Sequence, residues 1–109
     1  MTICELRKTL NLSAFVTGTE QAEVTGAYFG DLLSRVMVRL NKGNVWVTIH
    51  GHVNIVAVAV YAEVSGIIIA EDEKPSSDAV LKAGEEGITI LSSPKSAYEI
   101  AKELARAGI

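Results

Sequence analysis

Short apolar stretches separated by polar turns organise the chain, and most of them carry a readable period. Ile3, Leu6 and Leu10 recur at helical spacing, which predicts a helix over residues 2–10, capped by Thr2 with Glu5 as its capping-box partner. Asn11 to Ser13 interrupt that pattern. Ala14 to Thr17 reads as a short strand, followed by a turn at Thr17-Gly18-Thr19-Glu20. A second strand is expected from Glu23 to Tyr28. Leu32, Leu33, Val36, Met37 and Leu40 then mark the apolar stripe of a helix from Asp31 to Lys42, ended by Gly43. Asp31, Arg35 and Arg39 step along its other side, with the acid nearest the positive amino end. Val45 to Ile49 alternates as a strand, Trp46 and Thr48 facing opposite to Val45, Val47 and Ile49.

Ile55 to Val64 fits two periods. Val56, Val58 and Val60 alternate like a strand, whereas Ala57, Ala59, Ala62 and the length of the run suit a buried helix. We assign a helix, because a parallel crossover must precede the next strand. Ile67-Ile68-Ile69 marks a central strand within Gly66 to Ala70, and Glu71 to Pro75 an exposed acidic loop. Ser76 or Ser77 caps a helix to about Glu86, closed by Gly87. Ile88 to Leu91 is the last strand. Ser93 as cap with Pro94 in the first turn begins a final helix to about Ala107, with Ala97, Ala101, Leu104 and Ala105 on its inner face.

Strands and helices alternating after residue 23 predict an α/β fold, a mainly parallel β-sheet flanked by helices. Composition agrees: 49% of residues are hydrophobic but only 6% aromatic, the aliphatic wealth of strands buried on both faces. Sheets of this kind bind ligands at the carboxyl ends of their strands. Here those loops are Tyr28 to Asp31, His50 to Asn54, Ala70 to Pro75 and Ser92 to Pro94. The 109 residues are expected to form one domain, 1–109. A net charge of −3 argues against a nucleic-acid partner, which calls for a basic face. One cysteine, Cys4, excludes an intrachain disulfide and points to a reducing, cytoplasmic compartment. Glu5 and Arg7 fall where a signal peptide needs its apolar stretch, and the longest apolar run, Ile55 to Ala62, is eight residues. A membrane helix needs about 20, so no membrane partner is expected.

Three segments carry a family resemblance: Val24-Thr25-Gly26-Ala27-Tyr28-Phe29-Gly30-Asp31-Leu32-Leu33-Ser34, the stretch from Trp46 through His50-Gly51-His52-Val53-Asn54 to Ala59, and Gly87-Ile88-Thr89-Ile90-Leu91-Ser92-Ser93-Pro94. In this order and spacing they resemble the DRTGG-type domain, related to the amino-terminal domain of HPr kinase/phosphorylase, from about residue 13 onward. The short first helix fits small stand-alone members. The family's Asp-Arg-Thr-Gly-Gly aligns with Glu23-Val24-Thr25-Gly26-Ala27, matching at Thr25 and Gly26, and Val53 stands where proline is expected. The resemblance implies an α/β fold with a parallel sheet, similar also to the amino-terminal domains of the Mur ligases, some of which hold a uridine diphosphate group. It implies a regulatory or dimerising module. It does not imply kinase activity: in HPr kinase that chemistry sits in a separate carboxyl-terminal domain with a phosphate loop, and this chain has no Gly-x-x-x-x-Gly-Lys-Ser/Thr. Small relatives neighbour iron–sulfur and iron-hydrogenase genes in anaerobes, which points to a redox setting.

The candidate chemistry lies on the strand-end loops. His50 and His52, the only histidines, have the nitrogens to contact a phosphate or a metal. Zinc would need a third ligand from Asp31, Glu71 or Asp72. On a purely structural reading one histidine caps the next helix and the other is solvated. Asn54 is placed to cap that helix, whose free N–H groups would also receive an anion. Gly26 beside Thr25 lets a ligand approach the backbone or relieves packing within the sheet. Asp31 is either a general base or a helix-start carboxylate, and Ser93 either a helix cap or a phosphate contact. No serine has a visible base partner, and Cys4 reads as structural. The reading is a non-catalytic regulatory module, without metal or cofactor, that binds a small anionic, nucleotide-like ligand. Its site residues are Thr25, Gly26, Asp31, Thr48, His50, His52, Asn54 and Ser93, and a homodimer is expected. The alternatives are a protein-interaction subunit of a redox or signalling complex, and an enzyme using His50 or His52 in acid–base chemistry.

Overall fold

Reciprocal caps set the first and last helices. In the computed structural model, which describes residues 1–109, α1 spans Ile3–Thr9. Thr2 Oγ1 accepts from the Glu5 N–H at 3.2 Å, and Glu5 Oε1 accepts from the Thr2 N–H at 2.9 Å. The bonds from the Thr2 backbone and side chain hold the Glu5 carboxyl below the usual carboxylate range. The last helix begins three residues later than the Ser93-Pro94 pair suggests. Ser96 is its cap, Glu99 completes a capping box, and the helix runs Ala97–Arg106. A Ser-x-x-Glu box satisfies two amide donors where a lone serine satisfies one, which frees Ser93 for the interior. Ser93 is buried, its Oγ accepting from the Lys95 N–H at 3.1 Å and its carbonyl from the Asp72 N–H at 3.0 Å. Ile100 and Leu104, rather than Ala105, make the buried face of this helix. Ser96→Ala is expected to cost about 1 kcal/mol. A urea midpoint unchanged from the parent would contradict that cap.

Between these ends the order is β1 (Ser13–Val16), β2 (Gly26–Phe29), α2 (Leu33–Arg39), β3 (Asn44–Thr48), α3 (Asn54–Ala62), β4 (Gly66–Ile69), α4 (Ser77–Glu86) and β5 (Ile90–Ser92), with α5 the capped helix Ala97–Arg106. The five strands form one sheet in the order β1-β5-β4-β3-β2, parallel throughout except for β1, which pairs antiparallel with β5. The ambiguous valine–alanine run is helical. Its Ile55, Val56, Val58 and Ala59 are buried, and it ends at Glu63 in a left-handed conformation (φ 55°).

The crossovers through α2, α3 and α4 all step in the same direction, so right-handed connections place these helices on one face. There Val36, Trp46, Ile55, Ala59, Ile67, Ile69, Ala83 and Ile90 pack together. On the other face α1 and α5 cover Val45, Val47, Ile68 and Leu91. Every residue of β3 and β4 is buried, as period-two alternation requires of strands covered on both sides. The folded chain exposes 5757 Å², against about 5,800 Å² expected for its mass.

Two of the boundaries that differ from the sequence pattern bear on the site. β2 begins at Gly26; Glu23 contributes only an isolated bridge to Thr2. α2 is shorter than Asp31 to Lys42, and its stripe is half used: Val36 and Leu40 are buried, while Leu32 is 67% and Met37 44% exposed. Its first turn carries no acid, because Asp31 is recruited to the end of β3.

Candidate functional site

The carboxyl ends of β2, β3 and β4 open onto a cleft of about 200 Å³ on the α5 side of the sheet. Asp31, Thr48, Ile49, Ala70, Glu71 and Ala97 are among its walls, with Phe29 and Val47 behind them. Its position follows from topology. The helices after β2, β3 and β4 leave over one face and the helix after β5 over the other, and the loops part where the directions diverge.

Asp31 organises this end. One carboxylate oxygen, Oδ1, accepts from Thr48 Oγ1 at 2.7 Å and from the Ile49 N–H at 2.9 Å, tying the loop after β2 to the end of β3. Thr48 is buried, and its hydroxyl oxygen also accepts from the His50 N–H at 3.2 Å. The His50 ring reaches back through Nε2 to the Asp31 carbonyl. Beyond it, Gly51 touches the loop before α4: its carbonyl accepts from the Ser76 N–H at 2.7 Å.

His52 is exposed and Nδ1 accepts from the Asn54 N–H at 3.1 Å. Asn54 is therefore not the cap. It is the first helical residue of α3, and the ring ahead of it serves one of the free amides. One half of the structural reading fits, a histidine serving the helix start, but the other does not, because the His50 ring is half-buried against the Asp31 carbonyl rather than left to solvent. No three His, Cys, Asp or Glu side chains converge in a set that could hold a metal ion.

The wall that Glu71 supplies is strained. Glu71 and Asp72 both have left-handed backbones, φ 58° and 59°, a conformation that costs about 1–3 kcal/mol at a non-glycine residue. The Glu71 N–H donates to the Lys95 carbonyl at 2.9 Å and the Glu73 N–H to the Ala70 carbonyl at 3.2 Å, so the turn is held from both sides. The loop Ala70 to Pro75 is among the strand-end loops the sequence marks, but neither its strain nor the part played by Ala97 has a signature there, since no glycine marks the turn.

Of the eight residues expected at one rim, Asp31, Thr48 and His50 come together around the cleft. His52 and Asn54 sit at the start of α3, and Ser93 is an interior brace. Thr25 and Gly26 are at the opposite end of the sheet, because β2 starts at Gly26 and runs away from them. There Thr25 Oγ1 donates to the Lys42 carbonyl at 2.8 Å.

The molecule is thus an α/β fold, a five-stranded, mostly parallel sheet flanked by five helices. No family model and no curated protein matches the chain. Among solved structures it is similar to the CBS and DRTGG domains of the regulatory region of Clostridium perfringens pyrophosphatase, solved with its activator, diadenosine tetraphosphate. The TM-score is 0.71 and the identity 14%, over 93% of this chain and 44% of that one. This chain spans less than half the length of that neighbour. The likeness supports a DRTGG-like fold, as the three sequence segments imply. No helix is long and apolar enough to cross a membrane.

Proposed function

We propose that residues 1–109 form one DRTGG-like domain, related to the amino-terminal domain of HPr kinase/phosphorylase, that senses a small nucleotide-like ligand and regulates rather than catalyses. What carries this reading is the cleft at the carboxyl edge of a fold shared with a nucleotide-activated regulatory region. Two carboxylates line the cleft, and no basic side chain does. It therefore suits the donor-bearing part of a nucleotide, the amine of a base or the hydroxyls of a ribose. The phosphates then lie outward, toward solvent, away from the Asp31 and Glu71 carboxylates. The domain works as a homodimer in a reducing cytosol.

Thermal shift against diadenosine tetraphosphate, ATP, AMP, uridine diphosphate sugars and inorganic phosphate tests this. A ligand at 100 times its Kd adds about 2.7 kcal/mol, on the order of 10 °C for a chain of this size. Ala97 is half-buried on the cleft wall. Ala97→Trp fills the cleft and is expected to remove the shift. Flat curves for the whole panel, or a shift that persists in Ala97→Trp, contradict the reading.

A second reading, docking to a protein partner, is favoured by α2. Leu32 and Val38 are 67% and 79% exposed beside Arg35 and Arg39, and neither arginine is in an ion pair.

A further inference from the structure

The two lateral edges of the sheet are finished differently. β1 is interrupted by a bulge between Ala14 and Val16, a device that turns an edge strand away from further pairing. β2, the last strand on the other side, pairs with β3 in unbroken register from Gly26 to Phe29 and has no second neighbour. Its sequence, Gly-Ala-Tyr-Phe, has no charge and no proline, so shortness is its only guard against another strand. Bonding groups alternate along a strand, and half of the β2 amides and carbonyls therefore point away from β3. Ala27, at its centre, is exposed.

The neighbouring helix gives this open side a charge. In a right-handed crossover α2 runs back against the strands, with its buried Val36 toward the sheet. Helical rotation then sets Leu33 and Met37 on the side of α3, and Arg35 and Arg39 on the side of the free β2 edge. There Leu32, Ser34, Arg35, Val38 and Arg39 line a hollow of about 300 Å³, and none of them is acidic. Neither arginine is in an ion pair. In a chain of net charge −3 this is a local excess of positive charge beside an unpaired strand.

We infer that β2 and the flank of α2 together dock an extended acidic segment of another protein, added to the sheet as a further strand. Main-chain bonds to β2 hold any such segment, and its alternate side chains, all on one face, provide the selection. On the helix face those side chains run beside Arg35 and Arg39, whose planar guanidinium groups pair best with carboxylates. An apolar side chain beside them packs on Leu32. A second copy of this chain is disfavoured at the same place. Pairing two β2 strands about a two-fold axis normal to the sheet sets α2 against α2 of the second copy. Arg35 and Arg39 of each then face their own kind, a like-charge contact. The inference rests on the docking reading of α2 and is independent of the nucleotide cleft.

The probe is the capped hexapeptide Glu-Val-Glu-Thr-Glu-Val, titrated to millimolar concentration and read by amide NMR and hydrogen exchange. It is expected to shift the amides of Gly26 to Phe29, Arg35 and Arg39, and to slow exchange in β2. Two control peptides separate the causes. Lys-Val-Lys-Thr-Lys-Val reverses the charge, and the acidic peptide N-methylated at every amide keeps the charge but has no donor. Neither is expected to move the β2 amides. Arg35→Glu with Arg39→Glu, both at exposed positions, is expected to keep the parent melting midpoint. That variant should bind the acidic peptide about tenfold more weakly and take the lysine peptide instead. The proposal is overturned if the acidic peptide leaves β2 unmoved, or if either control moves it equally. It is also overturned if β2 amides shift with protein concentration alone, which would give the edge to a second copy. A lysine-peptide response at α2 would overturn the acidic segment and keep α2 as a docking surface, whereas silence from all three peptides ends both.

Discussion

Trp46→Ala is expected to cost about 3–5 kcal/mol, the range for truncating a fully buried aromatic side chain. Trp46 is the largest side chain of the core, completely buried at the centre of β3 beneath α2 and α3. Truncation loses its dispersion contacts and leaves a void that rigid strands on both sides cannot close. It also strands a polar group, because Trp46 Nε1 donates to the Gly30 carbonyl at 2.9 Å. Native stabilities lie at about 5–15 kcal/mol, so the variant is at or near the edge of folding. Trp46→Phe separates the two effects, keeping much of the volume while removing the bond. Urea denaturation monitored by far-UV dichroism measures both, and a loss below about 1 kcal/mol for Trp46→Ala would show that this face is not tightly packed. The Gly30 carbonyl precedes Asp31, so the same variant loosens the loop that carries the carboxylate of the cleft.

Gly51→Ala is the second large effect, and its cause is purely steric. A Cβ at this position would lie 2.1 Å from the Lys74 carbonyl oxygen and 3.0 Å from Pro75 Cα. Both are backbone atoms and cannot swing aside as a side chain would. The histidine loop and the loop before α4 must separate, breaking the 2.7 Å bond from the Ser76 N–H to the Gly51 carbonyl beside the cap of α4. Forcing a group into packed surroundings costs about 1–3 kcal/mol. Gly84→Ala is the matched control. Gly84 lies inside α4 with nothing within 4 Å of the added carbon, so alanine there is expected to stabilise by up to about 1 kcal/mol. Opposite signs for the two glycines in thermal melts are the expected result; equal effects would contradict the contact between the two loops.

The parallel architecture was legible because it rests on period. Ile67-Ile68-Ile69 and Val45-Trp46-Val47 are buried on both faces wherever the strand ends are drawn. The valine–alanine run was settled by a connectivity argument, since alternation alone favoured a strand. Ends were less legible, because they depend on which of several polar groups wins a local competition. Asp31 has the place and charge of a helix-start residue, yet its carboxylate gains two donors by turning to Thr48 and Ile49. Ser93 lost to the reciprocal Ser96–Glu99 box, and Asn54 to the His52 ring beside it.

The misplacement of Thr25 and Gly26 has a similar origin. Extending β2 back to Glu23 hides where the strand starts, and the start decides which end of a parallel sheet a residue occupies. The left-handed turn at Glu71-Asp72 and the unpartnered hydroxyl of Ser65 arise from tertiary packing, and no local pattern announces them.

The central claim is that a nucleotide-like ligand is sensed at the carboxyl edge of the sheet. Titrating the protein with diadenosine tetraphosphate and following backbone amides by NMR tests it most directly. The account predicts saturable shifts at Gly30, Asp31, Ile49, His50, Ala70, Glu71 and Ala97, with the amides of Thr25 and Gly43 at the far edge unmoved. Shifts confined to the far edge, or none at saturating nucleotide, would contradict it.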